Sequence, residues 1–169
     1  TTVAELLEDV NQYLQLIEEL DNSCPIFTDK ELLNFINIGL ILKLFPNAKI
    51  INCTRDPVDN CWSIYKNFFP IKTKFVNDFK DIAQFYRLYL NTMKFWQKEF
   101  PENIFNLNYE SLVENPKDQI EKILNFCDLE WDENVMSHHK SSRIIRTLSF
   151  DQANNCLLYT SDAADDTDS

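Results

Sequence analysis

Apolar residues recur every three or four positions along most of the chain, the spacing of an amphipathic helix. The first twenty residues follow this spacing, so we expect a helix there with Val3 and Ile17 on its apolar face. A second helix is predicted from a cap at Thr28 and Asp29 to about residue 45. Its face is almost wholly apolar, so we expect this helix to be buried.

Two short runs, AKIINCT (48–54) and NIFNLNY (103–109), are rich in β-branched and apolar residues and predict strands. Further helices are predicted over about 57–69 with Asp56 as cap, over 78–100 and over 116–127, with a helical turn near 128–139. This alternation implies parallel strands joined by helical crossovers, hence an α/β layer fold. Because two strands make a poor sheet, we expect further strands upstream of Thr1.

Glycine is nearly absent from the chain. The 169 residues contain one, Gly39, where average usage of roughly 7% gives about a dozen. Nucleotide-binding domains normally open with a glycine-rich loop whose amides approach the phosphates. The chain is therefore either no phosphate-cradling protein or an incomplete one. Gly39 falls inside the second predicted helix, where we expect it to permit close packing.

Charge and cysteine usage narrow the function classes. A net charge of −11 argues against binding to nucleic acid or an anionic membrane, and no apolar run approaches the roughly 20 residues that span a bilayer. The five scattered cysteines indicate reduced thiols in a cytoplasmic compartment. His138 and His139 are adjacent and lack spaced partners, so we expect no metal site.

The C-terminal stretch differs in character from the rest. Residues 156–169, CLLYTSDAADDTDS, are a short apolar burst followed by an acidic end. The segment resembles a translated sequencing adaptor, and such a segment is not expected to be part of the fold. A solvated acidic tail is the alternative. We therefore expect one partial domain over residues 1–155 and a disordered tail over 156–169.

One segment carries candidate chemistry, because ligands of parallel sheets sit where strands end and helices begin. Arg55 lies just past the first predicted strand, and Ser63 lies about 10 Å along the next helix. A guanidinium with a neutral hydroxyl suits a phosphate. Alternatively, Arg55 pairs with Asp56 or Asp59 at the surface and Ser63 is merely tolerated, and spacing alone favours this interpretation.

The segment PNAKIINCTRDPVDNCWSIYKNFF resembles the 3′-phosphate-binding segment of sulfotransferases that use 3′-phosphoadenosine 5′-phosphosulfate. It is similar to the bacterial type fused to tetratricopeptide repeats and related to tyrosylprotein sulfotransferases. The resemblance covers about residues 26–152, and its R-D-P-x-D-x-x-x-S pattern is fairly specific. It implies a partial P-loop-NTPase-like parallel sheet with flanking helices, lacking the N-terminal phosphate-loop strand. It also implies that Arg55 and Ser63 hold the 3′-phosphate.

Other site residues are implied by the same resemblance. FTDKELLNFINIGLI is similar to a D-K-x-P-x-N-F segment, with Leu32 in place of the proline, and puts Lys30 near the sulfuryl group; a solvated lysine is the alternative. LNYESLVENP resembles a Y-E-D-L segment and puts Tyr109 beside the adenosine; an ordinary half-buried tyrosine is the alternative. We expect Glu110 to hold a structural hydrogen bond.

The segment RIIRTLSFDQ resembles a loop that folds over the nucleotide, which implies contacts from Ser149, Asp151 and Gln152. The resemblance thus predicts the C-terminal part of an enzyme that transfers a sulfuryl group from 3′-phosphoadenosine 5′-phosphosulfate to a hydroxyl of a peptide or small molecule. We expect this part alone to be inactive. The alternatives are another nucleotide-dependent transferase or kinase on the same scaffold, and a non-enzymatic helical interaction module.

Overall fold

The structure is a computed structural model that describes residues 3–20, 26–66 and 74–140. Six α-helices and two strands follow each other in these ranges: α1 (Val3–Leu20), α2 (Ile38–Leu44), β1 (Ile50–Thr54), α3 (Pro57–Lys66), α4 (Phe79–Glu99), β2 (Ile104–Asn108), α5 (Tyr109–Glu114) and α6 (Pro116–Phe126). Short 3-10 helices occupy Asn34–Ile36, Lys74–Asn77 and Glu133–Lys140. The predicted α/β alternation is confirmed.

The sheet of the described ranges consists of β1 and β2, which pair in parallel. Ile50 lies opposite Ile104, and the register continues to Thr54 opposite Asn108. The chain crosses from one strand to the other through α3 and α4. The two carboxyl ends therefore meet at the same edge of the sheet.

Helices α3 and α4 begin where the sequence predicts. The Asp56 carboxylate accepts hydrogen bonds from the amides two and three residues on, at 2.8 and 3.0 Å. Asp78 does the same at the start of α4, at 2.7 and 3.2 Å. Each aspartate satisfies amides that have no partner within the helix, and Pro57 has no amide proton to lose at the first helical position.

The predicted start of the second helix is wrong. Residues 26–33 are not helical, and α2 begins after Asn37. The Asp29 carboxylate does not cap α2, which begins nine residues later, and its Oδ2 accepts a 2.8 Å hydrogen bond from the Tyr13 hydroxyl of α1. The predicted burial holds for Ile38 and Leu42. It fails for three other apolar residues of the predicted face, which are exposed: Leu33, Ile36 and Leu40.

The main core lies between α2, α4 and the sheet. Its buried members are Ile38, Leu42, Met93 and Ile104, with further aromatic and aliphatic side chains packed around them. Gly39 lies against the ring of Trp96, so closely that a Cβ atom would sit 2.7 Å from Cη2. The expected close packing at the glycine is confirmed.

A polar network links α4 to the face of the sheet. Asn52 is 9% exposed, and its Oδ1 accepts a 2.8 Å hydrogen bond from the Tyr89 hydroxyl. Its amide donates to Asn106 Oδ1 on the neighbouring strand at 2.9 Å, and Gln97 donates to the same oxygen at 2.7 Å. The network satisfies polar groups whose burial would otherwise be costly.

Several expectations concern residues outside the described ranges, including the loop with Ser149, Asp151 and Gln152 and the stretch 156–169. Within the described ranges, the cysteines Cys53, Cys61 and Cys127 are free. No helix described by the structure has the length and apolar character needed to cross a membrane.

Candidate functional site

The strand ends bring two predicted site residues together. Arg55 follows β1 directly and Tyr109 follows β2 directly, and the residues before them lie opposite each other in the sheet. The Arg55 guanidinium carbon lies 5.3 Å from the centre of the Tyr109 ring. At this distance the cation is attracted by the negative face of the ring. The site therefore combines a positive charge with an aromatic surface.

Arg55 also has the acidic neighbour that the surface interpretation proposed. Arg55 Nη2 lies 3.6 Å from Asp59 Oδ2, one turn into α3, and the two side chains are 37% and 57% exposed. Exposed pairs of this spacing contribute only about 0.3–0.5 kcal/mol. A phosphate group offers two oxygens to the planar guanidinium and can replace so weak a partner.

Ser63 lies on the same face of α3 as Asp59. The two residues are four positions apart within α3, whereas Arg55 precedes the helix and its side chain lies 3.6 Å from that of Asp59. Ser63 is half-buried and already takes part in contacts within the protein. Ser63 thus lies one helical turn beyond Asp59, the residue that the Arg55 side chain contacts.

Lys30 lies on a different segment from the two strand ends. It is exposed in the non-helical segment 26–33, next to the Asp29 carboxylate that accepts the Tyr13 hydrogen bond. Among residues 3–20, 26–66 and 74–140, no group of three or more histidine, cysteine, aspartate or glutamate side chains could hold a metal ion.

Glu110 makes the structural hydrogen bonds that the sequence predicts for it. Its Oε1 accepts from the Asp56 amide at 2.8 Å, and its Oε2 accepts from the Asn108 side chain at 2.6 Å. The hydrogen bond from the Asp56 amide is the main cause that lowers the pKa of the Glu110 carboxyl. Other hydrogen bonds and the charge of Arg55 lower this pKa by smaller amounts. The carboxyl group is therefore ionised and accepts hydrogen bonds without donating any.

Sequence reasoning missed two features of the site. Tyr86 of α4 lies close to it, and burial raises the pKa of its hydroxyl, with smaller contributions from Cys61, Asp56 and Glu110. Helix α5 was also missed, although Asn108 caps it by accepting from the Ser111 amide at 2.8 Å. An asparagine three residues before that amide is the signal that predicts such a helix start.

Comparison with known proteins identifies the family. The sequence model described as "Sulfotransferase family" matches residues 3–133, more than three quarters of the chain. The chain belongs to the sulfotransferase family. The match includes both strands and three predicted site residues on or near them, Arg55, Ser63 and Tyr109.

Three individual proteins are similar to the chain, and two of them are named protein-tyrosine sulfotransferases. The chain is 27% identical over 117 residues to protein-tyrosine sulfotransferase A of Caenorhabditis elegans, covering 69% of the chain and 31% of that protein. It is 24% identical over 128 residues to the protein-tyrosine sulfotransferase of Drosophila melanogaster, covering 75% and 26%. It is 34% identical over 160 residues to an uncharacterized protein of Aquifex aeolicus (strain VF5), covering 92% and 21%. The chain thus spans about a fifth to a third of these relatives.

Proposed function

We propose that this sulfotransferase chain binds the 3′-phosphate and the adenosine of 3′-phosphoadenosine 5′-phosphosulfate, the sulfuryl donor. The observation that carries the proposal is the 5.3 Å approach of the Arg55 guanidinium to the Tyr109 ring at the carboxyl ends of two parallel strands. Ligands of such sheets bind at this edge. The family match and the R-D-P-x-D-x-x-x-S spacing support the choice of ligand.

Each residue has a distinct part in the proposed complex. The Arg55 guanidinium pairs with two phosphate oxygens and gives up its weak contact with Asp59. The Ser63 hydroxyl donates to the same phosphate, and the Tyr109 ring offers a flat surface to the adenine. Lys30 neutralises charge that develops on the leaving oxygen during sulfuryl transfer. Ser149, Asp151 and Gln152 contribute further nucleotide contacts.

The proposed acceptor is a hydroxyl group, and a peptide tyrosine is the first candidate because two relatives are named protein-tyrosine sulfotransferases. We propose that the chain alone binds the donor nucleotide without transferring the sulfuryl group. Gly39 packs against Trp96, so the single glycine of the chain does not line a phosphate loop. The proposed binding resides in residues 1–155, and residues 156–169 are dispensable for it.

Calorimetry with two nucleotides tests the proposal. We expect 3′-phosphoadenosine 5′-phosphate to bind more tightly than adenosine 5′-monophosphate, which lacks the 3′-phosphate. Charged hydrogen bonds contribute about 1.5–3 kcal/mol, so Arg55→Ala should weaken binding of the bisphosphate roughly 10- to 100-fold and the monophosphate far less. Arg87→Ala, which removes an exposed arginine of α4, is the matched control.

Three results would count against the proposed donor site. Equal affinity for the two nucleotides favours a different nucleotide-dependent transferase or kinase, and unchanged binding after Arg55→Ala excludes the arginine as the phosphate anchor. Absence of binding by a folded chain favours the interaction module. A specific surface exists for the latter, because Val58, Trp62 and Tyr65 form an exposed apolar stripe along α3.

A further inference from the structure

Glu110 connects the two segments that carry the candidate site. Its carboxylate receives the backbone amide of Asp56, which lies in the segment after β1. It also receives the side-chain amide of Asn108, the last residue of β2. The two hydrogen bonds, at 2.8 and 2.6 Å, use one oxygen each, so a single side chain ties the ends of both strands together.

Both partners of Glu110 are themselves helix caps. The Asp56 carboxylate accepts from the first amides of α3, and Asn108 Oδ1 accepts from an amide of α5. Arg55 stands directly before the first cap, and Tyr109 stands directly after the second. The carboxylate therefore fixes the start of α3 relative to the start of α5, and with them the backbones that carry the guanidinium and the ring.

We propose that Glu110 is a positioning residue, which holds Arg55 and Tyr109 in the arrangement that binds a 3′-phosphorylated adenosine nucleotide. This inference rests on the proposed function. It assigns Glu110 no contact with the nucleotide, because both of its oxygens already accept hydrogen bonds from the protein.

The direction in which nucleotide affinity changes when Glu110 is removed distinguishes a positioning role from an effect of its charge alone. An ionised carboxylate next to a phosphate site repels the phosphate, so if Glu110 acted only through its charge, its removal would tighten nucleotide binding. If Glu110 positions the site, its removal loosens binding despite the relief of that repulsion. The charged and titratable groups around it are Arg55, Asp56 and the hydroxyl of Tyr86.

Three variants of the full chain test the inference by calorimetry with the bisphosphate and the monophosphate. Glu110→Ala removes both hydrogen bonds, and we expect the affinity for the bisphosphate to fall about tenfold, as when orienting partners of metal ligands are removed. Glu110→Gln keeps an oxygen for the Asp56 amide, so it should recover part of this loss. Glu114→Gln removes an equal charge from the exposed end of α5 and should leave binding unchanged.

A nuclear magnetic resonance titration tests the bridge without any nucleotide. The amide proton of Asp56 is bound to the Glu110 carboxylate, so its resonance should move as that carboxyl titrates below its ordinary range. In Glu110→Gln this component of the pH profile should disappear. A loss of stability alone would not remove one component from one resonance.

The outcomes separate this inference from the proposed function. If the wild type does not prefer the bisphosphate, the proposed function fails, and the positioning role for that ligand fails with it even if the Asp56 titration shows the bridge. If the wild type prefers the bisphosphate and folded Glu110→Ala keeps the same affinity or binds more tightly, only the positioning role is overturned. Weakened binding by Glu110→Ala, partial recovery by Glu110→Gln and an unaffected Glu114→Gln together support it.

Discussion

Replacing Gly39 by alanine tests the packing of α2 on α4. In an unobstructed helix this substitution stabilises a protein by up to about 1 kcal/mol. Here the new Cβ atom would lie 2.7 Å from Trp96 Cη2 and 2.8 Å from Cζ3, whereas carbon atoms normally approach to about 3.5–4.0 Å. The indole ring must therefore move by about 1 Å.

The surroundings of Trp96 resist this movement. Its Nε1 donates a 2.8 Å hydrogen bond to the Phe35 carbonyl oxygen, and the rings of Phe95 and Phe100 lie 4.8 and 5.8 Å away. Overpacking of this kind costs about 1–3 kcal/mol. The higher helix propensity of alanine offsets about 1 kcal/mol of this cost. We therefore expect Gly39→Ala to lower the free energy of unfolding by about 0–2 kcal/mol. Each kilocalorie per mole should lower Tm by about 2–4 °C.

Urea and thermal unfolding provide the assay, and two further variants make the result decisive. Ala83→Gly, at an exposed position inside α4, calibrates the propensity difference and should cost about 1 kcal/mol. Trp96→Phe removes both ring carbons that the new Cβ meets, so Gly39→Ala should become stabilising in that background. Stabilisation by about 1 kcal/mol in both backgrounds would refute the reasoning.

Three other predictions concern charge and backbone conformation. Asp59→Asn frees Arg55 from its weak partner and removes a negative charge, so calorimetry should show about two- to fivefold tighter binding of the bisphosphate. Asp128 has a φ of 57° after α6, a conformation that costs a residue with a Cβ about 1–2 kcal/mol, so thermal unfolding should show Asp128→Ala to be less stable than Asp128→Gly. Burial and the hydrogen bond to Asp29 raise the pKa of Tyr13 to about 12. Because its unfolded value is near 10, the stability that Tyr13 contributes is complete below pH 10 and is lost as the pH rises towards 12, which urea unfolding beside Tyr13→Phe measures.

Each of these predictions has an outcome that contradicts it. Asp81→Asn removes another first-turn aspartate, from α4, and an equal gain in binding there would show that Asp59 acts only through net charge. Equal losses for the two substitutions at Asp128 would exclude its backbone conformation as the cause. A stability difference between wild type and Tyr13→Phe that stays constant from pH 10 to 12 contradicts the raised pKa.

Helix starts that depend on a capping residue next to the helix could be predicted from the sequence. The starts of α3 and α4 depend on an aspartate that caps its own helix, so Asp56 and Asp78 were sufficient to locate them. The second helix could not be placed in the same way. Asp29 has the same capping chemistry, but its carboxylate accepts from the hydroxyl of Tyr13, sixteen residues earlier in the sequence, and α2 begins nine residues later without a side-chain cap. The local capping pattern therefore does not locate that helix start.

The same difference between local sequence patterns and contacts of distant segments applies to the candidate site. Helical geometry places Ser63 one turn beyond Asp59, whereas nothing in the sequence places Tyr109 beside Arg55 without the pairing of the strands. The resemblance to sulfotransferases supplied Tyr109 in advance. The hydrogen bond of Glu110 was expected, but its donors lie on two segments and became known only from the structure.

The asparagine pair inside the sheet has a consequence for length variation among related chains. Asn52 donates to Asn106, 54 positions later, and Asp56 and Glu110 have the same separation. Inserting one residue into either strand turns the following side chains to the opposite face and separates the two ends that form the site. Insertions in the loops around α4 leave this pairing intact. We therefore expect related chains to differ in length between the two strands. Within each strand, we expect the number of residues from the asparagine to the end of the strand to stay the same.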